Sequence, residues 1–287
     1  MSRAFAAVLL AYLAALGVAL AAGAATPSES ALRVAAAADV AATAAVFAFS
    51  VAFRNSSFYD PYWSLAPIPI ALFFAARADP GVSSARQVLV LLLVCVWGVR
   101  LTWNFARGWG GLAHEDWRYQ EIRGASGALY WPVSFLGIHL APTLIVLLGL
   151  LPVHAALATG TRPLGLLDGL AALVAGGGIA LEAASDQQLR RFVATRRDAS
   201  ELLRSGLWGA SRHPNYCGEM LFWWGLFLFG LAADPGAVWT VLGPLSITAL
   251  FFGVSLPMIE RRMRARKPGY AAHAERTPLV IPWPRRG

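Results

Sequence analysis

The chain has 287 residues, 57% of them hydrophobic and 14% charged, with a formal net charge of +8. A soluble domain carries about one quarter charged residues, so this composition excludes a soluble globular fold and describes an integral membrane protein. In that setting the positive excess belongs to cytoplasmic loops, anionic lipid or an anionic ligand, and not to nucleic acid.

A helix that crosses the bilayer needs about 20 mostly apolar residues. Residues 4–22, 35–53, 88–105, 131–151, 164–182, 220–233 and 238–258 qualify. The stretch 65–76 is shorter and holds Pro67 and Pro69, so it reads as a broken or re-entrant span. The expected fold class is therefore all-α, a polytopic membrane bundle of seven or eight transmembrane helices. Strands are not expected, because alternation is absent and an open sheet edge cannot sit in lipid.

Residues 4–22 with Arg3 also fit a secretory signal peptide, but a retained first helix balances the topology better. No linker separates two domains: residues 1–54 form N-terminal membrane helices continuous with residues 55–287. The arginine clusters 190–212 and 261–286 orient the chain with both on the cytoplasmic side. The two spans between them, joined by a tight turn at Asp234-Pro235, make an even number of crossings. Arg107, Arg118 and Arg123 place the loop after Phe105 on the same face, and Arg162 marks the opposite one.

Polar residues gather at three places along the chain. The first is the turn-rich segment 204–219, which packs Arg204, Arg212, His213, Asn215, Tyr216 and Glu219 against an apolar run. A basic surface loop accounts for the arginines but requires neither Asn215 nor Glu219; a site for a charged ligand uses them all. The second is Glu182, Asp186 and Arg190, spaced by four and so sharing one helical face. An exposed helix end with charge pairs is the plainer reading, and Glu182, still among apolar residues, speaks against it. The third is Glu260 and Arg261, emerging straight from a span, with Arg264, Arg266 and Lys267 reading as lipid-headgroup contacts.

Upstream, Tyr59, Asp60, Tyr62 and Trp63 form a turn with an aromatic belt. Arg100 and Asn104, four apart in an apolar helix, face the same way, and an arginine that deep marks a functional site by default. His139 reads as a packing histidine, and Asp39 and Asp168 have no partner visible in the sequence. Gly176, Gly177 and Gly178 permit close helix contact. No Gly-x-Gly-x-x-Gly or Walker-type loop is present, and scattered histidines with two cysteines, Cys95 and Cys217, support neither a metal site nor a disulfide framework.

At residues 205–219, Ser-Gly-Leu-Trp-Gly-Ala-Ser-Arg-His-Pro-Asn-Tyr-Cys-Gly-Glu, the chain resembles the steroid 5-alpha-reductase-like membrane oxidoreductase superfamily, in its bacterial branch catalogued as a domain of unknown function. Three further pieces match in order: Tyr-Asp-Pro-Tyr-Trp-Ser at 59–64, Ser-Asp-Gln-Gln at 185–188, and the ending from Lys-Pro-Gly-Tyr at 267 to Ile-Pro-Trp at 283. The resemblance implies NADPH held in the cytosolic half of a bundle in the bacterial inner membrane, and reduction of a polarised carbon–carbon double bond in a lipid. It carries Asp186, Asn215 and Glu219 onto polar residues around the cofactor, and Glu182 onto a place where those enzymes have asparagine.

The expected function is thus an NADPH-dependent reductase of a lipophilic, sterol-like or isoprenoid enone that enters from the bilayer. Arg190, Arg204, Arg212 and Arg261 are the candidate phosphate partners. Glu182, Asp186, His213, Asn215, Glu219 and Glu260 complete the cofactor set, Trp63, Arg100 and Asn104 face the substrate, and Tyr59, Asp60 or Tyr216 supplies the proton. The alternatives are an S-adenosylmethionine-dependent methyltransferase, because those enzymes carry a similar Arg-His-Pro element, and a non-catalytic lipid-binding protein. Nothing in the sequence sets an oligomeric state.

Overall fold

The structure, a computed structural model, describes residues 2–283; Arg285 and Arg286 of the basic C-terminal cluster lie outside the described residues. Every regular element among the described residues is helical. Apart from helical turns of three or four residues at Ser56–Phe58, Tyr62–Leu65 and Leu207–Ala210, these are in chain order α1 (Ser2–Ala25), α2 (Ala31–Ala52), α3 (Pro67–Ala76), α4 (Ser84–Gly108), α5 (Trp117–Thr159), α6 (Leu166–Thr195), α7 (Pro214–Ala233), α8 (Pro235–Arg266) and α9 (Tyr270–Arg276). All but α3 and α9 are long and apolar enough to cross a membrane, which makes seven spans. Ten residues of α3 reach only about 15 Å, half a hydrocarbon core, so the Pro67-Pro69 stretch is not an eighth.

The helix bounds depart from the sequence reading in two informative places. Asn215, Tyr216 and Glu219 are not in a loop: Pro214 opens α7 at its first position, where its missing N–H is no loss and its φ is already helical. Asn215 and Glu219 therefore share a helical face, one turn apart. Likewise α6 does not stop at Glu182 but runs on to Thr195, which carries Asp186 and Arg190 in register beneath it.

The bundle is built around α7. Two-thirds of its apolar window is buried (67%), against no more than 44% in any other span, as befits a helix that is hydrophobic on all sides. Against it lies α6, at a distance that only glycine allows. A methyl group on Gly178 would stand 2.5 Å from the Gly218 carbonyl oxygen, and one on Gly218 would stand 2.6 Å from that of Gly178. Farther along, a methyl on Gly225 would strike the backbone of Ala175 at 2.5 Å. Small residues thus bring two backbones together without any aqueous driving force. Of the three consecutive glycines, Gly178 makes this contact while Gly177 faces open space.

At the end of the bundle away from the basic clusters, Asp168 receives Arg86 in a two-pronged pair, Nε to Oδ1 at 2.7 Å and Nη2 to Oδ2 at 3.0 Å. Arg86 is fully enclosed and also donates to the Arg162 carbonyl at 2.9 Å, so the buried charge is satisfied on every side. His139 is packing, as its sequence context indicated: it is fully buried, with Nε2 3.0 Å from Ser50 Oγ and Nδ1 3.0 Å from the Ser134 carbonyl.

Candidate active site

One face of α4 carries Trp97, Arg100 and Asn104, three and four residues apart, opposite Glu182, Asp186 and Arg190 on α6. Rung by rung, the two faces pair. Arg100 lies 2.5 Å from Glu182 Oε2 and 2.9 Å from Asp186 Oδ2. Asn104 Nδ2 donates to Asp186 Oδ2 at 2.9 Å, and its Oδ1 accepts from Arg190. The third wall is α7, whose Glu219 sits beside the Gly178–Gly218 crossing and receives two indole N–H groups, Trp97 at 2.9 Å and Trp223 at 2.8 Å. Indole nitrogen only donates, so both Glu219 oxygens are held as acceptors.

Some of these groups border a cavity of about 580 Å3, from whose lining Trp97, Arg100 and Arg190 are set back. Glu182, Asp186, Asn215, Tyr216 and Glu219 line it from α6 and α7, with Asn104 from α4. Tyr59, Asp60 and Trp63 line it from the turn before α3, and Phe251, Val254 and Met258 close it from α8 with apolar side chains. The buried carboxamide oxygen of Asn215 has no hydrogen-bond partner among the described residues.

The turn that presents Tyr59 and Asp60 is fixed by its own sequence. Asn55 Oδ1 accepts from the Ser57 amide at 2.8 Å and its Nδ2 donates to the carbonyls of Leu112 and His114, which locks residues 55–58 onto the loop before α5. That loop delivers Arg118 and Tyr119 to the cavity. The Tyr119 hydroxyl donates to Asp60 Oδ1, and Arg118 stands 4.0 Å from the same oxygen. Burial pushes the Asp60 carboxyl up to about 6, against the opposing pull of Arg118 and Tyr119. The Tyr59 hydroxyl points elsewhere, to Thr143 Oγ1 at 2.8 Å, and burial pushes it well above the ordinary tyrosine range. Asp60 and Tyr59, both candidate proton donors, thus do not bond each other; Tyr119, which the sequence reading passed over, is the partner of Asp60.

A separate polar cluster ties the start of α7 to the chain's end. Glu260 accepts from Arg212, from Tyr270 at 2.5 Å and lies 2.8 Å from His213 Nε2. The Arg212 and His213 amides donate to the Pro278 and Leu279 carbonyls at 2.9 and 3.1 Å, and Ser211 Oγ donates to Val280 O at 2.6 Å. Residues 277–283 therefore run as a strap along residues 210–213. Burial and the Glu260 carboxylate both push the Tyr270 hydroxyl up. Arg212, His213 and Glu260 bind one another and stand off the cavity wall, as does Arg261, whose side chain is 73% exposed and lies 3.8 Å from Glu121. Arg204 packs over Gly269, a methyl on which would meet its guanidinium at 3.0 Å. Gly206, at φ 59°, sits under Gln188, whose Oε1 accepts from the Leu207 amide at 2.9 Å.

Asp60, Asn104, Asp186, Asn215 and Glu219, scattered over some 160 positions of the sequence, meet at one cavity; the Arg212–Glu260 cluster braces it from behind. An uncharacterized protein of Schizosaccharomyces pombe is 26% identical over 260 residues, covering 83% of this chain and 75% of that protein. No solved structure matches the chain. A family model described as "Protein of unknown function (DUF1295)" matches residues 46–277, a span that takes in the whole cavity wall, and the chain belongs to that family.

Proposed function

We propose that this protein is a membrane-embedded oxidoreductase of the steroid 5-alpha-reductase-like superfamily, using NADPH to reduce a polarised carbon–carbon double bond in a lipophilic molecule. The observation that carries the reading is the shared cavity, where hydrogen-bonding groups of α6 and α7 face an acid–tyrosine pair across an apolar chamber. Its volume falls within the usual range for small-molecule sites, roughly 300–1,000 Å3.

The residues fit the group. Asn215 offers a buried carboxamide oxygen with no partner, suited to an amide or hydroxyl donor, and Asp186 an acceptor at the polar end. Arg190 and Arg118 supply positive charge beside the cavity, the former with a buried Nε that has no partner. When bound, NADPH supplies a hydride for the electron-poor carbon of the double bond. The chain's own part is electrostatic. With Asp60 protonated and donating to the Tyr119 oxygen, the Tyr119 hydroxyl is released to donate where negative charge builds on the substrate's carbonyl oxygen. The apolar side chains of α8 limit water in the chamber, and Trp63 and Phe251 add aromatic surface to its lining.

A second reading has one observation in its favour. Asp60, Asp116, Glu182, Asp186 and Glu219 line the cavity, against Arg118 and His114. This acidity suits the sulfonium of S-adenosylmethionine as well as an oxidised nicotinamide ring. Titrating the detergent-purified protein with NADPH, NADP and S-adenosylmethionine, followed by calorimetry, separates the two. Saturable NADPH binding that is lost in Asn215→Ala supports the reductase. Binding of the methyl donor alone ends that proposal, and binding of neither, with lipid retained, leaves a lipid-binding protein.

A further inference from the structure

Helices α5 and α8 run antiparallel beside the cavity, but they do not touch along their whole length. In one half they pack closely, along 141–149 and 242–250, where a methyl on Gly243 would strike the Leu148 carbonyl oxygen. In the other half each takes a wide π-helical course, Ser134–Leu140 in α5 and Phe251–Ser255 in α8. There the cavity comes between them, lined by Gly137, Ile138 and Pro142 on one side and by Phe251 and Val254 on the other. Beyond this stretch the two helices meet again. The guanidinium of Arg262 lies 4.1 Å from the centre of the Trp117 ring, and its Nη1 lies 3.6 Å from Glu121 Oε1.

The gap so framed is open to the outside. Val254 lines the cavity yet is 49% exposed, and Gly137 lines it from an exposed position where an added methyl would meet nothing. Leu136 and Phe252, on the flanks, are exposed as well. These residues belong to membrane-spanning helices, so hydrocarbon and not water bounds the gap from outside. Wide π turns occur mostly at functional sites, and a plain lipid-facing surface does not require two of them around one opening. Volume gives a second argument. A chamber of about 580 Å3 holds one drug-sized molecule, for which roughly 300–1,000 Å3 is usual. It cannot enclose a dinucleotide and a whole lipid together.

We infer that the acceptor is an amphiphile with a flexible hydrocarbon tail, gripped at one end only. Its reducible head occupies the cavity, and its tail leaves through the window past Gly137 and Val254 to lie in the bilayer. This rests on the reductase reading for what happens to the head. Tail carbons meet apolar side chains inside the window and lipid chains outside it, surfaces of like polarity, so passing the window costs the tail little. A polar head stranded in hydrocarbon is unfavourable, and the groups that receive it, Asp60, Tyr119 and Asn215, line the same cavity. Specificity then lies in the head. A tail outside the protein meets no wall that measures its length, so molecules that share a head and differ in chain length are handled alike.

Photolabelling of the protein in nanodiscs of phosphatidylethanolamine and phosphatidylglycerol tests this without any turnover. The probes are two long-chain methyl ketones, saturated counterparts of an enone, one with a diazirine beside the carbonyl and one with it at the tail end. The expected head-end label falls on peptides that hold Trp63 or Trp223, both in the cavity lining, and the tail-end label on those that hold Gly137 or Val254. Gly137→Phe, whose Cβ has room, plugs the window and loses the cavity label. Gly253→Phe, equally unobstructed but off the cavity lining, keeps it. Val254→Trp narrows the window from the other helix and serves if Gly137→Phe does not fold. Unlabelled ketones of increasing chain length should compete alike at equal mole fraction in the bilayer. A tail-end label on Trp63 or Trp223, no cavity label from either probe, equal labelling of the two glycine variants, or competition that falls steeply with chain length overturns the inference. Failure to bind NADPH, measured separately, ends the reductase reading and leaves the labelling result standing on its own.

Discussion

The hydroxyl of Tyr119 donates to Asp60 at 2.5 Å, joining two residues 59 positions apart on one wall of the cavity. Because burial raises the Asp60 carboxyl to about 6, the folded protein binds that proton more tightly than the unfolded chain does. Its favourable contribution is complete below the unfolded value, about 3.9, and is lost as pH rises through 6. Apparent thermal stability in detergent should therefore decline between about pH 4 and 7, by up to about 3 kcal/mol for this group. Asp60→Asn should flatten that slope. Tyr119→Phe, which removes a bond that favours the carboxylate, should move the decline to higher pH. A slope unchanged in both variants would detach Asp60 from the effect.

The glycine crossing of α6 and α7 gives a paired prediction. Gly218→Ala forces a methyl into the Gly178 carbonyl, so the helices must part; overpacking of this kind costs about 1–3 kcal/mol. It also separates Glu182 from Glu219, so ligand binding should fall with stability. Gly177→Ala, one position from the contact but facing open space, should be neutral or gain up to about 1 kcal/mol from helix propensity. Thermal midpoints in detergent check both, and equal losses in the two variants would refute the crossing.

The membrane spans were legible because a bilayer imposes one long apolar signature, and seven of the eight stretches singled out became crossing helices. The i,i+4 spacing of Glu182, Asp186 and Arg190 announced a shared face, as did Arg100 with Asn104. What the sequence does not carry is which faces meet. Tyr119 lies in a short polar helical lead-in ending near Gly127, with no periodicity to mark it, and nothing local ties it to Asp60. Trp97 and Trp223 read as ordinary apolar residues until Glu219 stands between them. The Arg-His pair at 212–213 drew attention for its charge, but the partner that claims it, Glu260, arrives only when the chain end folds back.

Among the described residues Arg100 is the one cation paired with both Glu182 and Asp186, and removing it strands two enclosed carboxylates. Arg100→Met should destabilise the protein by about 3–5 kcal/mol, the usual penalty for breaking a buried pair from one side. Adding Glu182→Gln and Asp186→Asn to that variant should recover most of the loss, since no charge is then left unpaired. Chemical unfolding in detergent measures the cycle. A triple variant no more stable than Arg100→Met would show that the guanidinium matters for packing and not for charge.

Glu260 gathers Arg212, His213 and Tyr270 from three segments without lining the cavity, so its role is to fix the start of α7 against the C-terminal strap. Glu260→Ala leaves a guanidinium that is 12% exposed without its carboxylate. It should lower stability by about 2–4 kcal/mol, somewhat less than a fully enclosed pair. The strap pairs with residues 210–213, immediately before Asn215 and Tyr216, so loosening it should reach the cavity: affinity for the proposed cofactor, NADPH, is expected to fall about tenfold, the equivalent of one lost hydrogen bond. Limited proteolysis should cut residues 277–283 in Glu260→Ala and spare them in wild type. Glu260→Gln, which keeps an acceptor for Tyr270 and Arg212, should lie between the two. If Glu260→Ala weakened binding while the strap stayed protected, Glu260 would have to meet the ligand directly, and the bracing role would be wrong.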